Sequence, residues 1–267
     1  MNQDLTAAAG TATLPIAGSA LANLMDSNGP HIVYIDTHQH VNQLMWTGAV
    51  WINDDLTADA GSTRLAGADS ALTTLIDSTG PHVLYIDTSG HVDQLMWTDT
   101  GWIDDDLTAD ARSTHDSSED GDLSGFVDGA RVNIGYIAAN QHVNQLVWTG
   151  SEWVNQDLTM AAGSSTLAAL DSGVTNVADS NGPHFFYVDT NQHVNQVTWT
   201  GAVWINADLT AGAQGHLVTA LRTISGQVLA GNTGLSEITI ALTGTTAAGT
   251  NMSLSTITDS AGAFLLA

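Results

Sequence analysis

The chain repeats itself every 51 residues. Its Asp-Leu-Thr tripeptides begin at Asp4, Asp55, Asp106, Asp157 and Asp208, and successive starts differ by 51. A His-Val-x-Gln run keeps step at His40, His91, His142 and His193. One tyrosine and two tryptophans per period do the same, and together they account for all 8 Trp and 4 Tyr of the protein. A period of about 40–50 residues, written as short strand-like runs with aromatic markers, points to propeller blades or arrays and away from a single irregular domain.

Within one period, Pro30 to Thr37, His40 to Thr47 and Val50 to Thr57 are β-branched and aromatic runs bounded by turn residues. A fourth run, from about Ser19 to Met25, ends at Asp26-Ser27-Asn28-Gly29. Four strands per period read as one blade. Alternation puts His40, Asn42, Leu44 and Trp46 on one face and Val41, Gln43 and Met45 on the other. Both faces carry apolar groups, as a sheet sandwiched between neighbours requires. The expected fold is all-β, a β-propeller of four 51-residue repeats over residues 1–212. If such a ring closes on itself, residues 1–6 should pair near Trp204–Thr210 as a seam. Asp55 and its equivalents, each followed by Leu-Thr, read as a turn-and-cap device.

Charge narrows the partners. The chain has 28 acidic residues against four arginines, Arg64, Arg112, Arg131 and Arg222, and no lysine, for a formal charge of −24. Nucleic-acid phosphates and anionic membrane surfaces would repel it. No run of about 18 apolar residues is present to insert into a bilayer. Cysteine is absent, so disulfides and thiolate metal sites are excluded. The opening Asn-Gln-Asp-Leu-Thr reads as the tail of a repeat, which leads us to expect a start inside a larger protein.

Nothing in the sequence calls for catalysis or a cofactor. There is no nucleophile elbow, His-Glu-x-x-His helix or Gly-rich phosphate loop. Four near-copies of one site also argue against an enzyme, which needs one differentiated constellation. His38 and His40 lack a recurring third ligand, so no metal site is expected. The acidic loop His115 to Asp122 lacks EF-hand spacing and reads as a solvated turn.

Carbohydrate sites pair an aromatic plate, for the apolar face of a sugar, with amide, carboxylate or imidazole groups for its hydroxyls. Each repeat offers that set. The candidates are Tyr34, Tyr85, Tyr136 and Tyr187, with Trp46, Trp97, Trp148 and Trp199. To these are added Trp51, Trp102, Trp153 and Trp204, the amides Gln43, Gln94, Gln145 and Gln196, and the imidazoles His31, His82 and His184. At least one tryptophan per blade is expected to be core. The glutamines could bind a sugar or lock adjacent blades, and His40 and its equivalents are expected to bond backbone. The third repeat departs from the others, with Arg131-Val132-Asn133 for Gly-Pro-His and Ala138 for the aspartate seen at Asp36, Asp87 and Asp189. If those histidines and aspartates line a pocket, the third copy should be the weak one.

The ordered phrases Pro81-His82-Val83, Ser89 to Trp97 and Gly101 to Thr108 resemble those of a bacterial family of seven-bladed propeller lectins with fucose- or O-methyl-sugar-binding repeats. In the related six-bladed fungal fucose lectins, an Arg two positions before the strand tyrosine and a Glu in the next strand hold the sugar. Here those places are taken by Ile32, Val83, Ile134 and Phe185, and by the four glutamines. Residues 217–267 form a second unit, with strands expected at Thr223–Val228, Ile238–Leu242, Ser253–Thr258 and Phe264–Leu266. This unit resembles an Ig-like sandwich of the carboxypeptidase-regulatory or transthyretin type, cut short of its last strands. The resemblances imply a secreted or surface-displayed protein that binds glycans or glycoconjugates multivalently. The alternative is a structural subunit of an extracellular fibre, a homo-polymer linked by strand donation through the C-terminal unit.

Overall fold

The computed structural model describes residues 3–27, 29–117, 121–129, 131–169, 172–213, 224–231, 233–245 and 251–266. The chain divides into two units, Met1–Gly215 and His216–Ala267.

The first unit contains four antiparallel four-stranded sheets, each formed by strands consecutive in sequence. Blade 1 is β1 (Leu21–Met25), β2 (Pro30–Ile35), β3 (Val41–Trp46) and β4 (Trp51–Asp55). Blade 2 is β5 (Leu72–Ile76), β6 (Pro81–Ile86), β7 (Val92–Thr98) and β8 (Gly101–Asp106). Blade 3 is β9 (Leu123–Asp128), β10 (Arg131–Ile137), β11 (Val143–Trp148) and β12 (Trp153–Asp157). Blade 4 is β13 (Val174–Asp179), β14 (Gly182–Val188), β15 (Val194–Trp199) and β16 (Trp204–Asp208). The first strands β1, β5, β9 and β13 pack in series, so each sheet stands face to face with the next, as propeller blades do.

Strand register gives each blade two different faces. His31 lies opposite Met45, Val33 opposite Gln43, and Gln43 opposite Asp54, so these side chains share the face turned to the following blade. Tyr34, Asn42, Leu44, Trp46 and Trp51 occupy the other face, turned to the preceding one. Val33, Ile35 and Val41 of blade 1 are buried against Leu72, Val83, Tyr85 and Leu95 of blade 2. At about 1.5–3 kcal/mol per fully buried large apolar side chain, these interblade layers are the main stabilising term.

The run expected from Val50 to Thr57 ends earlier as a strand. Asp55 closes it and caps a single helical turn, α2 (Leu56–Asp59), its Oδ1 accepting from Ala58 N at 2.9 Å. Leu56 is fully buried, and Thr57 Oγ1 accepts the amide of Val41 at 2.9 Å. The same device recurs as α1 (Leu5–Ala8), α3 (Leu107–Asp110), α4 (Leu158–Ala161) and α5 (Leu209–Gly212), each N-capped by its aspartate. The turn-and-cap reading of Asp-Leu-Thr therefore holds in all five copies.

The expected seam is corrected. α2, α3 and α4 each pack on the outer strand of the following blade, β8, β12 and β16, and α1 packs on β4 in the same way. Among the described residues α1 thus packs on blade 1, where the seam expected of a self-closing ring would set residues 1–6 near Trp204–Thr210.

In the second unit β17 (Ile224–Gln227) pairs with β22 (Ala263–Leu266). β18 (Leu229–Ala230) pairs with β19 (Thr233–Gly234), and β20 (Thr239–Thr245) pairs with β21 (Asn251–Ile257). The four strands expected there fall on β17, β20, β21 and β22. Thr258, buried at the end of β21, accepts Ile238 N at 2.9 Å and donates to Leu235 O at 2.6 Å.

Candidate functional site

On the face that blade 1 turns to blade 2, four polar side chains form a chain of hydrogen bonds. Asp26 Oδ1 meets His31 Nε2 at 3.1 Å, His31 Nδ1 meets Gln43 Oε1 at 2.8 Å, and Gln43 Nε2 donates to Asp54 Oδ2 at 3.1 Å. Blade 2 repeats it with Asp77, His82, Gln94 and Asp105, at 3.1, 3.0 and 3.2 Å. Both ring nitrogens of each histidine thus face acceptors. The glutamine amide is hydrogen-bonded at both ends within its own blade, tying the third strand to the second and fourth. Asp77 is held below the usual carboxylate range: burial opposes its charge, but hydrogen bonds from Thr79 Oγ1 (2.6 Å), Thr79 N (2.7 Å) and His82 outweigh it.

The opposite wall comes from the next blade. Facing the Asp26–Asp54 chain stand Pro81, Trp97 and Trp102 of blade 2, and facing the Asp77–Asp105 chain stand Trp148 and Trp153 of blade 3. Within each wall the two indoles are a cross-strand pair, with ring centroids 5.7 Å apart at 68° for Trp97 and Trp102, and 5.6 Å apart at 54° for Trp148 and Trp153. Within a blade, Gly29 and Gly80 let the turn between the first two strands pass close to the end of the third. Both lie in the left-handed region, at φ +137° and +142°, and a Cβ there would meet the carbonyl oxygen of Trp46 or Trp97 at 2.9 or 2.8 Å. The helical turns close the rim of the clefts with Asp59 and Asp110. Burial, and then the neighbouring charges Asp54 and Asp55 or Asp105 and Asp106, raise both carboxyls above the ordinary aspartate value.

Three such interblade clefts are described, of about 350, 250 and 210 Å³ between blades 1 and 2, 2 and 3, and 3 and 4. The third is chemically different. Asn133 replaces the histidine and accepts Gln145 Nε2 at 2.6 Å. Gln156 replaces the aspartate and accepts the indole N–H of Trp204 at 3.2 Å, and Arg131 enters the lining. Trp204 is only 7 % exposed, whereas its counterparts Trp102 and Trp153 in the other two clefts are half-buried.

Several expected site residues stand elsewhere. Tyr34, Tyr85, Tyr136 and Tyr187 are buried and line none of the three clefts. Their hydroxyls serve the blade interior, Tyr34 donating to Asn53 Oδ1 at 2.6 Å and Tyr187 to Asn206 Oδ1 at 3.0 Å. Burial pushes the phenols of Tyr34 and Tyr187 up to about 12 and those of Tyr85 and Tyr136 higher still. Asp36, Asp87 and Asp189 are buried turn residues. Asp36 Oδ1 accepts the amides of His38 and His40 at 2.7 and 3.0 Å, and Asp189 Oδ1 accepts that of His193 at 2.9 Å. The weakness expected of the third copy through Ala138 therefore has no basis in the cleft; its Asn133 and Arg131 do differ there.

His40, His91, His142 and His193 bond not to backbone but to the cap carboxylates Asp55, Asp106, Asp157 and Asp208, at 2.7, 2.8, 2.6 and 2.5 Å. Trp46 and Trp51 belong to the face of blade 1 turned away from blade 2, and His184 and Gln196 to the face of blade 4 turned away from blade 3. These four are brought into none of the three clefts. In blade 4, where Ala207 replaces the aspartate, Gln196 Nε2 turns to His184 Nδ1 at 2.6 Å.

The cleft carboxylates Asp26, Asp54, Asp59, Asp77, Asp105 and Asp110, and the methionines Met45 and Met96, were not singled out in the sequence. Alternation carried the missing signal. Gln43 and Trp46 fall on opposite faces, so a single blade cannot bring them together, and each cleft must take its amide from one repeat and its indoles from the next. The acidic loop at 115–122 lies partly outside the described residues, since 118–120 are not among them. Among the described residues no group of three or more His, Asp or Glu is placed to hold a metal ion. No helix there is long and apolar enough to cross a membrane.

The fold belongs to the class of β-propellers made of four-stranded blades. Among solved structures it is similar to the fungal lectin of Aleuria aurantia, described as a six-bladed β-propeller with a novel fucose recognition mode, at 14 % identity and TM-score 0.54, covering 95 % of this chain and 79 % of that one. It is likewise similar to a mutant of AofleA from Arthrobotrys oligospora, at 12 % identity and TM-score 0.56, over 94 % and 69 % of the two chains. The SapL1 lectin in complex with α-methyl fucoside matches at 13 % identity and TM-score 0.54, over 92 % and 79 %. At these identities the likeness is one of fold. No family model and no curated relative matches the sequence.

Proposed function

We propose that the protein is a non-enzymatic, multivalent carbohydrate-binding propeller, displayed outside the cell or on its surface, whose binding sites are the interblade clefts. One observation carries this reading: a tryptophan pair on one blade faces a braced Asp-His-Gln-Asp chain on the blade before it, and the arrangement recurs. Indoles suit the C–H face of a sugar and the carboxylates suit its hydroxyls. Repetition suits a lectin, since several weak sites engaging one clustered glycan can raise avidity by about 10²–10⁴. The solved propellers it resembles in fold include lectins described with fucosides, which supports the class of ligand. The test is a glycan array with the whole chain and with Trp97→Ala and Trp148→Ala. Binding that free sugar competes away, and that each substitution weakens about tenfold or more (about 1.4 kcal/mol), supports the reading. Loss of neither variant's signal, or no glycan bound at all, sinks it.

A second reading, a fibre subunit joined through strands of the C-terminal unit, is favoured by the apolar side chains that unit exposes, Ile257 at 63 %, Leu229 at 48 % and Ile238 at 39 %. Filaments of the intact chain in negative stain would support it, and a monodisperse monomer in sedimentation would remove it.

A further inference from the structure

We propose, on the carbohydrate-binding reading above, that the clefts between blades 1 and 2 and between blades 2 and 3 select glycans bearing a free protonated amine, and that the cleft between blades 3 and 4 does not. The contrast rests on residues at equivalent positions. The first cleft sets Asp26, Asp54 and Asp59 around the Trp97–Trp102 wall, and the second sets Asp77, Asp105 and Asp110 around the Trp148–Trp153 wall. Neither lining holds an arginine, and the chain has no lysine. In the third cleft Gln156 and Ala161 stand at the positions of Asp54 and Asp59, and the cross-strand neighbours Arg131 and Asp128 both enter the lining.

Carboxylates on an open surface would be no more than a solvated rim. These share a walled cleft with an indole pair, and Trp97, which lines the first cleft, is 42 % exposed. An ammonium group near an indole face, with carboxylates on the other side, gains cation–π and charge-assisted hydrogen bonding together. A neutral or acetylated sugar in the same place would displace water from the cleft carboxylates while adding no positive charge to the single histidine, His31 or His82, that each lining holds, which is costly. Burial first, and then the acidic neighbours, raise the carboxyls of Asp59 and Asp110, and an incoming cation relieves the second of these causes. An amino sugar unites the two halves, an apolar ring face for the indole and an ammonium for the aspartates. The formal charge of −24 steers such a ligand toward the protein.

The experiment compares glucosamine oligomers with N-acetylglucosamine oligomers of equal length and with methyl α-fucoside, at pH 6 and low salt. Binding to the intact chain is followed through assigned tryptophan indole N–H signals. The expected result is at least tenfold tighter binding of the amine. Shifts should be confined to Trp97, Trp102, Trp148 and Trp153, leaving Trp199 and Trp204 unmoved. The preference should fall in the exposed-rim pair Asp59→Asn with Asp110→Asn and vanish in Asp54→Asn with Asp105→Asn. Equal binding of the acetylated oligomer, binding of the fucoside in preference to the amine, or amine shifts spread equally over all three clefts overturns the proposal and leaves the lectin reading intact. Absence of binding by any of these sugars and by a broad glycan array overturns both.

Discussion

Blades 1 and 2 solve the same buried problem with different chemistry. In blade 1 a relay of neutral donors runs through the interior. Tyr34 donates to Asn53 at 2.6 Å, Asn53 to Asn42 at 3.1 Å, and Asn42 to Asp36 at 3.1 Å. Blade 4 copies it with Tyr187, Asn206, Asn195 and Asp189. Blade 2 has Asp104 and Asp93 where the asparagines stand, and Arg64 where blade 1 has Thr13. Arg64 bonds Asp104 and lies 3.6 and 3.8 Å from Asp93 and Asp106. Asp104 accepts from Tyr85 and Arg64 and has no N–H to pass on where Asn53 donates to Asn42, so the relay stops. Neither oxygen of the fully buried Asp93 has a hydrogen-bond partner. Burial, then the charges of Asp87, Asp106 and Asp104, push its pKa up to about 9. The comparison teaches that one backbone geometry accepts an amide relay or an ionic cluster, and that the cluster leaves a group strained toward neutrality.

The largest expected effect comes from removing the cation. Arg64→Thr, which installs the blade 1 residue alone, should destabilise by about 3–5 kcal/mol, because it strands buried carboxylates. Thermal unfolding measures this. Restoring the full blade 1 set, Arg64→Thr with Asp93→Asn and Asp104→Asn, should return stability to within about 1 kcal/mol of the parent. A triple variant as unstable as the single one would break the equivalence of the two blades.

Next in size, Asp93→Asn should stabilise by about 1–3 kcal/mol near pH 8, since the amide satisfies what the carboxyl leaves open. Its pH dependence sharpens the point. With a folded pKa of about 9, well above the unfolded aspartate value of 3.8, Asp93 binds its proton more tightly in the folded state. Its influence therefore erodes stability as pH rises from about 4 to 9. Chemical denaturation across that range should show the slope in the parent and a flatter line in the variant.

The smallest effect concerns the caps. In His91 the hydrogen bond and charge of Asp106 overcome burial and raise the imidazole above its ordinary value, and in His193 the hydrogen bond to Asp208 leads the same upward shift. A raised histidine stabilises fully below the unfolded value of 6.5, and that contribution is lost as pH climbs through the higher folded value. His91→Asn should thus cost about 0.5–1 kcal/mol at pH 5.5 and close to nothing at pH 9. An equal cost at both pH values would mean the pair is held by shape alone.

Much of this architecture was legible in the sequence because the period is long and the copies are near-identical. The 51-residue step fixed four sheets, and the alternation of Val41, Gln43 and Met45 against Asn42, Leu44 and Trp46 gave each blade two apolar faces. The cap at Asp55 was legible too, although its helical turn was merged into the preceding strand. What escaped was whatever depends on a neighbouring blade. Tyr34 looks like a sugar platform in a list of aromatics, but register places it on the inner part of a packed face. The cleft aspartates passed as turn and rim residues because their meaning comes from the indoles of the next repeat. His40 reads as a backbone partner in the sequence because its carboxylate partner, Asp55, lies fifteen positions on, across a strand pair.

The helical turns α1 to α4 each rest on the outer strand of the blade that follows, so the joint between modules is made of the same parts wherever it occurs. Any blade can in principle succeed any other. A misaligned exchange between two copies within the coding sequence, at any point of the period, would delete or add one whole module without cutting a sheet or orphaning a cap. Such a molecule can change its number of interblade clefts in single genetic steps, and one cleft can differ in chemistry from its neighbours, as the third does, without disturbing the joints between modules.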